Sequence, residues 1–129
     1  MKKSAKSKPK RPKMAHISEE MKEWANLLSQ ELEKWPKVSA KPMFGMRCYY
    51  RGSKVFGALP VTRSIESSNS LMFKMNPMPA NLLVRADNDS RVSSTDSLKT
   101  RKWRLFEIAN ESDLRDALWW LNQAYEKAK

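Results

Sequence analysis

Ser18, followed by Glu19 and Glu20, places a hydroxyl cap and two acids where a helix N-terminus has unpaired N–H groups and partial positive charge. From there Met21, Trp24, Leu27, Leu28, Leu32 and Trp35 recur at steps of three and four, one apolar stripe that Pro36 ends by disfavouring helical geometry at Trp35. Beyond Pro36 the pattern shortens to that of strands. Segments Val38–Met43, Met46–Arg51, 54–59 and 71–75 are rich in strand formers, and Gly52-Ser53 between two of them signals a hairpin. The stretch 62–70 holds four Ser and one Asn, too polar to bury, and reads as a loop.

Pro77 and Pro79 begin a short helix, where a missing N–H costs nothing, with Leu82, Leu83 and Ala86 as its apolar side. Asp87-Asn88-Asp89 looks like the start of a calcium loop, but Val92 stands at the sixth position and Leu98 at the twelfth, where Gly and Glu are needed; a turn is expected. A short strand over 92–95 and a stronger one over 102–109 follow, the latter with Trp103, Phe106 and Ile108 supplying bulk. In the closing helix Leu114, Ala117, Leu118, Leu121, Ala124, Tyr125 and Ala128 share one sector at about 100° per residue. Trp119 falls nearly opposite and is expected on the surface as an anchor for a partner, unless another segment of the chain covers it. The pattern predicts one α+β domain in which helices pack on an antiparallel sheet.

At 129 residues and 40% apolar content, with five Trp, four Phe and three Tyr, the chain is of one-domain size and can build a core. No apolar run approaches the roughly 18 to 20 residues that cross a bilayer, so a cytoplasmic protein with no membrane partner is expected. Charge changes the picture more. Lys2, Lys3, Lys6, Lys8, Lys10, Arg11 and Lys13 stand in the first 13 residues with no acid, and without these seven the net charge falls from +11 to +4. Residues 1–16 therefore read as a disordered basic tail, and 17–129 as the domain. The tail either holds phosphates weakly and without sequence preference, or simply keeps the chain in solution.

Candidate chemistry is sparse. Cys48 is the single cysteine and His16 the single histidine, so neither an internal disulfide nor a structural zinc site is expected. With three glycines, Gly45, Gly52 and Gly57, no phosphate-cradling loop is formed. The expectation is a protein that is not an enzyme and carries no cofactor and no metal. Binding is what remains. Alternation puts Met46, Cys48 and Tyr50 on one face of their strand and Arg47, Tyr49 and Arg51 on the other. Joined by Lys54, Phe56, Lys74 and Arg104, the second face would form a basic, aromatic platform for nucleic acid, or else an ordinary half-exposed sheet face.

The segment Lys41-Pro42-Met43-Phe44-Gly45, with Tyr49 to Leu59 and its Gly52-Ser53-Lys54-Val55-Phe56-Gly57-Ala58 run, resembles the N-terminal domain of the TfoX/Sxy family; the chain is also similar to MmcQ/YjbR-like proteins over 17–129. The resemblance implies an order α-β-β-β-α-β-β-α with about five antiparallel strands. It also implies a regulatory or binding role, linked in the name-giving family to competence gene expression. Met43, Phe44, Gly45, Gly52, Lys54, Phe56 and Ala58 carry the motif. They are read as structural first, Gly45 for a special backbone conformation and Phe44 as a core anchor. The functional expectation is a small regulatory or binding domain that contacts nucleic acid weakly through its tail. The alternative is a protein-interaction or homodimerising module.

Overall fold

The computed structural model describes residues 14–95, 98 and 102–129. It is α+β, as the pattern predicts. Its elements run β1 (Met14–His16), α1 (Glu19–Leu32), β2 (Val38–Met43), β3 (Met46–Arg51), β4 (Lys54–Pro60), β5 (Arg63–Ile65), β6 (Ser70–Lys74), α2 (Ala80–Asp87), β7 (Val92–Ser93), β8 (Trp103–Glu107) and, after a 3-10 turn, α3 (Leu114–Lys127). Six strands form an antiparallel sheet in the order β2-β3-β4-β6-β8-β7, and β1 pairs with β5 in a separate two-stranded ribbon.

Two expectations are corrected at the β1–β5 ribbon. Residues 14–16, assigned to a disordered tail, form a strand, and the supposed loop 62–70 contains its partner, with Met14 opposite Ile65. The serines that made the loop look unburied are satisfied internally. Ser64 and Ser70 are both buried, their hydroxyls 2.8 Å apart, and Ser70 Oγ donates to the Ile65 carbonyl at 2.6 Å. Residues 1–13 lie outside the described residues.

Ser18 caps α1 as expected, its Oγ accepting from the Met21 N–H at 3.0 Å while donating to Asn69 Oδ1 at 2.8 Å. Helices α1, α2 and α3 contribute to one core on one face of the sheet. Met21, Trp24, Leu28 and Leu32 of α1, Leu82 and Ala86 of α2, and Ala117, Trp120, Leu121 and Ala124 of α3 pack with Tyr49, Phe56, Leu71, Phe73, Phe106 and Ile108 from the sheet. The approach of α3 is close enough that a Cβ at Gly57 would stand 2.7 Å from Leu121 Cδ2. Helix α1 ends at Leu32, short of Pro36, and Trp35 folds back over Phe56 and Tyr125, with ring centroids 6.2 and 5.0 Å away.

Arg91 ties the far edge of the sheet to the start of α3. Its guanidinium lies over the Phe106 ring at 4.9 Å and reaches Asp89, Asp113 and Asp116 at 2.9, 3.0 and 2.9 Å. The Arg91 hydrogen bond holds the Asp89 carboxyl below its ordinary value. Burial alone would raise Asp113, but N–H groups of Ala109 and Asn110 and the Arg91 guanidinium outweigh it, so that carboxyl is also lowered. The Asp87-Asn88-Asp89 stretch is thus part of a helix end and an arginine clamp.

Candidate binding groove on the open sheet face

The register explains which face of the sheet is covered. β3 pairs with β4 from Met46–Pro60 to Tyr49–Gly57, then jumps to Tyr50–Val55, leaving Phe56 as the extra residue of a bulge. Tyr49 and Phe56 are turned into the helix-covered core and are 1% and 0% exposed. The predicted nucleic-acid platform therefore does not assemble. Alternation separates the two faces of β3 correctly, but the Arg47, Tyr49 and Arg51 side is the one the helices cover. Arg47 is exposed and sits 3.9 Å from Glu33 of the α1 end; Arg51 stacks 4.1 Å over the Tyr125 ring and donates to the Tyr125 carbonyl at 3.1 Å. Lys54 reaches the Lys129 carbonyl at 3.1 Å. Arg104, half-buried, stands opposite the core residue Phe73. Of the proposed platform, Lys74 alone looks the other way.

The other face is apolar, and the helical residue Leu98 is seated on it, 6% exposed. Met46, Cys48, Ala58, Ile65, Met72, Leu98 and Leu105 form a second cluster, with Tyr50, Val55 and Trp103 against it. The cluster residues are themselves buried, and all but Leu105 line a groove of about 830 Å³ whose rim includes Met14, Met43 and Phe44. Four of the eight methionines line it, giving a soft, polarisable surface that adapts to different apolar shapes. The Cys48 thiol is 3.8 Å from Met43 Sδ, and burial raises its pKa, which suppresses the thiolate a nucleophile needs.

Phe44 is the sharpest correction. Expected as a core anchor, it is 84% exposed. Phe44 and Gly45 are the two central residues of the β2–β3 turn, with φ of 51° and 81°, the double positive φ of a type I′ turn. A phenylalanine in this region costs about 1–2 kcal/mol, so the ring is held out in solvent at a local cost. Gly45 is required for its positive φ and for its lack of a Cβ. Its carbonyl accepts from the N–H groups of Val61, Thr62 and Arg63 at 2.9, 2.9 and 3.1 Å, and a Cβ there would meet Arg63 Cγ at 2.6 Å.

The charges at the groove are all of one sign. Among the described lining residues Arg63 and Lys74 are the charged ones. Arg63 lies at the Gly45 end, where its guanidinium meets His16 Nε2 at 2.9 Å. Lys74 lies at the other end, 5.7 Å over the Trp103 ring, and Lys41 sits 5.3 Å over Tyr50 at the sheet edge.

Of the remaining expected site residues, Met43 is on the rim, Ala58 on the floor, and Gly52 turns the β3–β4 hairpin at φ 62°. Trp119 is half-buried, with Arg85 of α2 3.9 Å over its ring and Trp120 edge-on at 4.9 Å. It is covered by its own chain and does not stand free as an anchor. Leu118, expected in the core, is only partly buried against it, whereas Trp120 takes the central place at 1% exposure. The tail cations Lys2 to Lys13 lie outside the described residues. Met14, Arg63, Met72 and Trp103 went unread as site residues; no local pattern joins them, since they lie on β1, β5, β6 and β8.

No group of three or more His, Cys, Asp or Glu side chains is placed to hold a metal among the described residues, and no helix among them is long and apolar enough to cross a membrane. In comparisons with known proteins, no family model matches the chain, and no curated protein or solved structure is significantly similar to it.

Proposed function

We propose that this protein is a non-enzymatic binding domain of TfoX-like character whose groove beside Phe44 docks an apolar segment of another protein. The observation that carries the reading is Phe44, a large aromatic side chain kept 84% exposed at a positive φ on the rim of a methionine-rich groove. A strained backbone that displays an apolar ring in water contributes nothing to folding and is the usual mark of a recognition element. The groove's size falls within the range of about 300–1,000 Å³ in which bound groups are well buried.

Weak nucleic-acid contact through the tail stands as a second reading, favoured by the concentration of seven of the eleven net charges in residues 1–13.

A photoreactive phenylalanine analogue at position 44 tests the first reading against the same analogue at Val84, an exposed site on α2. Adducts with one defined partner are expected from position 44, and are expected to disappear when Met72→Glu closes the groove. Adducts of equal yield from position 84, or adducts indifferent to Met72→Glu in a folded protein, would refute the reading.

A further inference from the structure

The cations that fail to form a platform on the sheet's face gather instead along one of its ends. Because neighbouring strands are antiparallel, the start of β2, the β3–β4 hairpin and the end of β6 lie side by side there. The last turn of α3 reaches the same place, since Arg51 donates to the Tyr125 carbonyl and Lys54 to the Lys129 oxygen, both at 3.1 Å. Two recesses of about 380 and 310 Å³ open at this end and adjoin through Ser53, Lys54 and Ala128. Lys54, Lys74 and Lys127 line the first, Lys37, Arg51, Lys54 and Lys129 the second, and no acid lines either among the described residues.

A helix C-terminus attracts cations, and part of the cluster serves that purpose. The helix end, however, carries only about half a charge. Glu126, 3.3 Å from Lys129, adds one more, and a carboxylate on Lys129 would add another. Six cations exceed that sum by about three and a half charges. Arg51 and Lys54 are the two that reach the terminal carbonyls, and these bonds, with Arg51 stacked 4.1 Å over Tyr125, fix both side chains beside the recesses. Lys37, Lys74 and Lys127 have no carboxylate partner among the described residues.

Spacing and shape narrow the occupant. From β2 to β6 there are three strand intervals of about 4.8 Å, so the row from Lys37 to Lys74 spans about 14 Å. A nucleic-acid strand sets a phosphate about every 3.4 Å along its axis, roughly four over that length, and carries its charge on the chain itself. A membrane surface calls for cations beside an apolar anchor, whereas the apolar lining here is Val55, Met75 and two alanines. Tyr49 and Phe56, the rings that could stack bases, are buried in the core.

We propose that this end of the sheet is a contact surface for the phosphate backbone of a nucleic-acid strand, held without reading its bases. It is independent of the groove beside Phe44 and adds a folded site to the seven cations of the tail.

The salt dependence of binding to a labelled oligothymidylate tests this in the full chain, with the tail unchanged throughout. Lys37→Gln, Lys74→Gln and Lys127→Gln together are expected to weaken binding at least tenfold at low salt. They should also reduce the slope of log K against log salt by about 2, since each phosphate contact on a single strand contributes about 0.7. A matched control, Lys22→Gln, Lys34→Gln and Arg115→Gln, removes the same charge from exposed positions and should leave the slope as it is. Lys37→Arg, Lys74→Arg and Lys127→Arg together should preserve both affinity and slope. Equal slope losses in the two glutamine triples would mean that net charge alone acts, and an unchanged slope in the first would leave binding to the tail; either overturns the surface. If polyglutamate of equal charge, or phosphatidylserine vesicles, compete as well as the oligonucleotide, the surface takes an acidic peptide or a membrane and the nucleic-acid strand is overturned.

Discussion

Phe73 and Met72 are neighbours on β6, yet they belong to two different kinds of surface. Phe73 points into the helix-covered core, fully buried and stacked 5.1 Å from Trp120; Met72 points into the second cluster, 9% exposed, and lines the groove. One face is built from large rings and a close approach of α3 at Gly57, so each atom has a fixed neighbour. The other is built from methionines, a cysteine and an alanine, which leave a trough. Both faces are apolar and both are packed within the chain, the first closely between rings, the second around softer side chains that leave a groove beside Phe44. The difference separates packing that is filled from packing that leaves room.

The largest expected effect tests that separation directly. Phe73→Ala removes a ring enclosed on all sides, where transfer and cavity terms add, and should cost about 3–5 kcal/mol. Met72→Ala, one residue away, removes a flexible side chain buried beside an existing groove, so the cavity term is smaller and about 2–3 kcal/mol is expected. Chemical denaturation of the two variants checks the pair. Equal losses would mean that the second face is packed as firmly as the first.

Much of the helix-covered half is legible in the sequence because each element there carries its own signal: a capped start at Ser18, a three-and-four stripe along α1, and the sector of α3 around Leu121. What escapes is what depends on non-local pairing. Strand alternation separates Met46, Cys48 and Tyr50 from Arg47, Tyr49 and Arg51, but it is silent on which set the helices cover. The bulge that inserts Phe56 into the core arises only when β3 meets β4. Strand β5 was hidden because its polarity is satisfied by Ser64 and Ser70 bonding one another. Phe44 was misplaced for a related reason: an aromatic beside a glycine suggests an anchor, and the positive φ that expels it is set by the two-residue turn.

Arg91 belongs to the fold-holding side, at the junction of β7 and α3, and its effect should be intermediate. Replacing it with leucine leaves Asp89 and Asp113 without their guanidinium; these side chains are 15% and 13% exposed, so the charge-assisted bonds are partly shielded and about 2 kcal/mol of stability at neutral pH is expected to be lost. Both carboxyls have folded pKa values below the ordinary 3.8. Their contribution is therefore present above that value and lost as pH falls through the folded values. The difference in stability between wild type and Arg91→Leu should be constant from pH 7 to about 5 and shrink as the pH drops below 3.8. A difference that persists unchanged in acid would assign the role of Arg91 to its stacking on Phe106 alone.

The smallest effect on stability falls at Phe44, and there the comparison predicts a change of sign. Phe44→Asn replaces an 84% exposed ring with a residue that tolerates positive φ and is favoured, ahead of glycine, in a type I′ turn. Melting should stay level or rise, by up to about 1 kcal/mol, since backbone strain is relieved and little buried surface is lost. Docking should suffer in the same variant. The partner captured through position 44 is expected to bind this variant at least tenfold more weakly, a loss of about 1.4 kcal/mol, because aromatic anchors at the edge of an apolar pocket often dominate an interface. A marked loss of stability would put the ring back into the core. Full retention of docking would leave the strain at Phe44 without a function and would move recognition to the methionine floor.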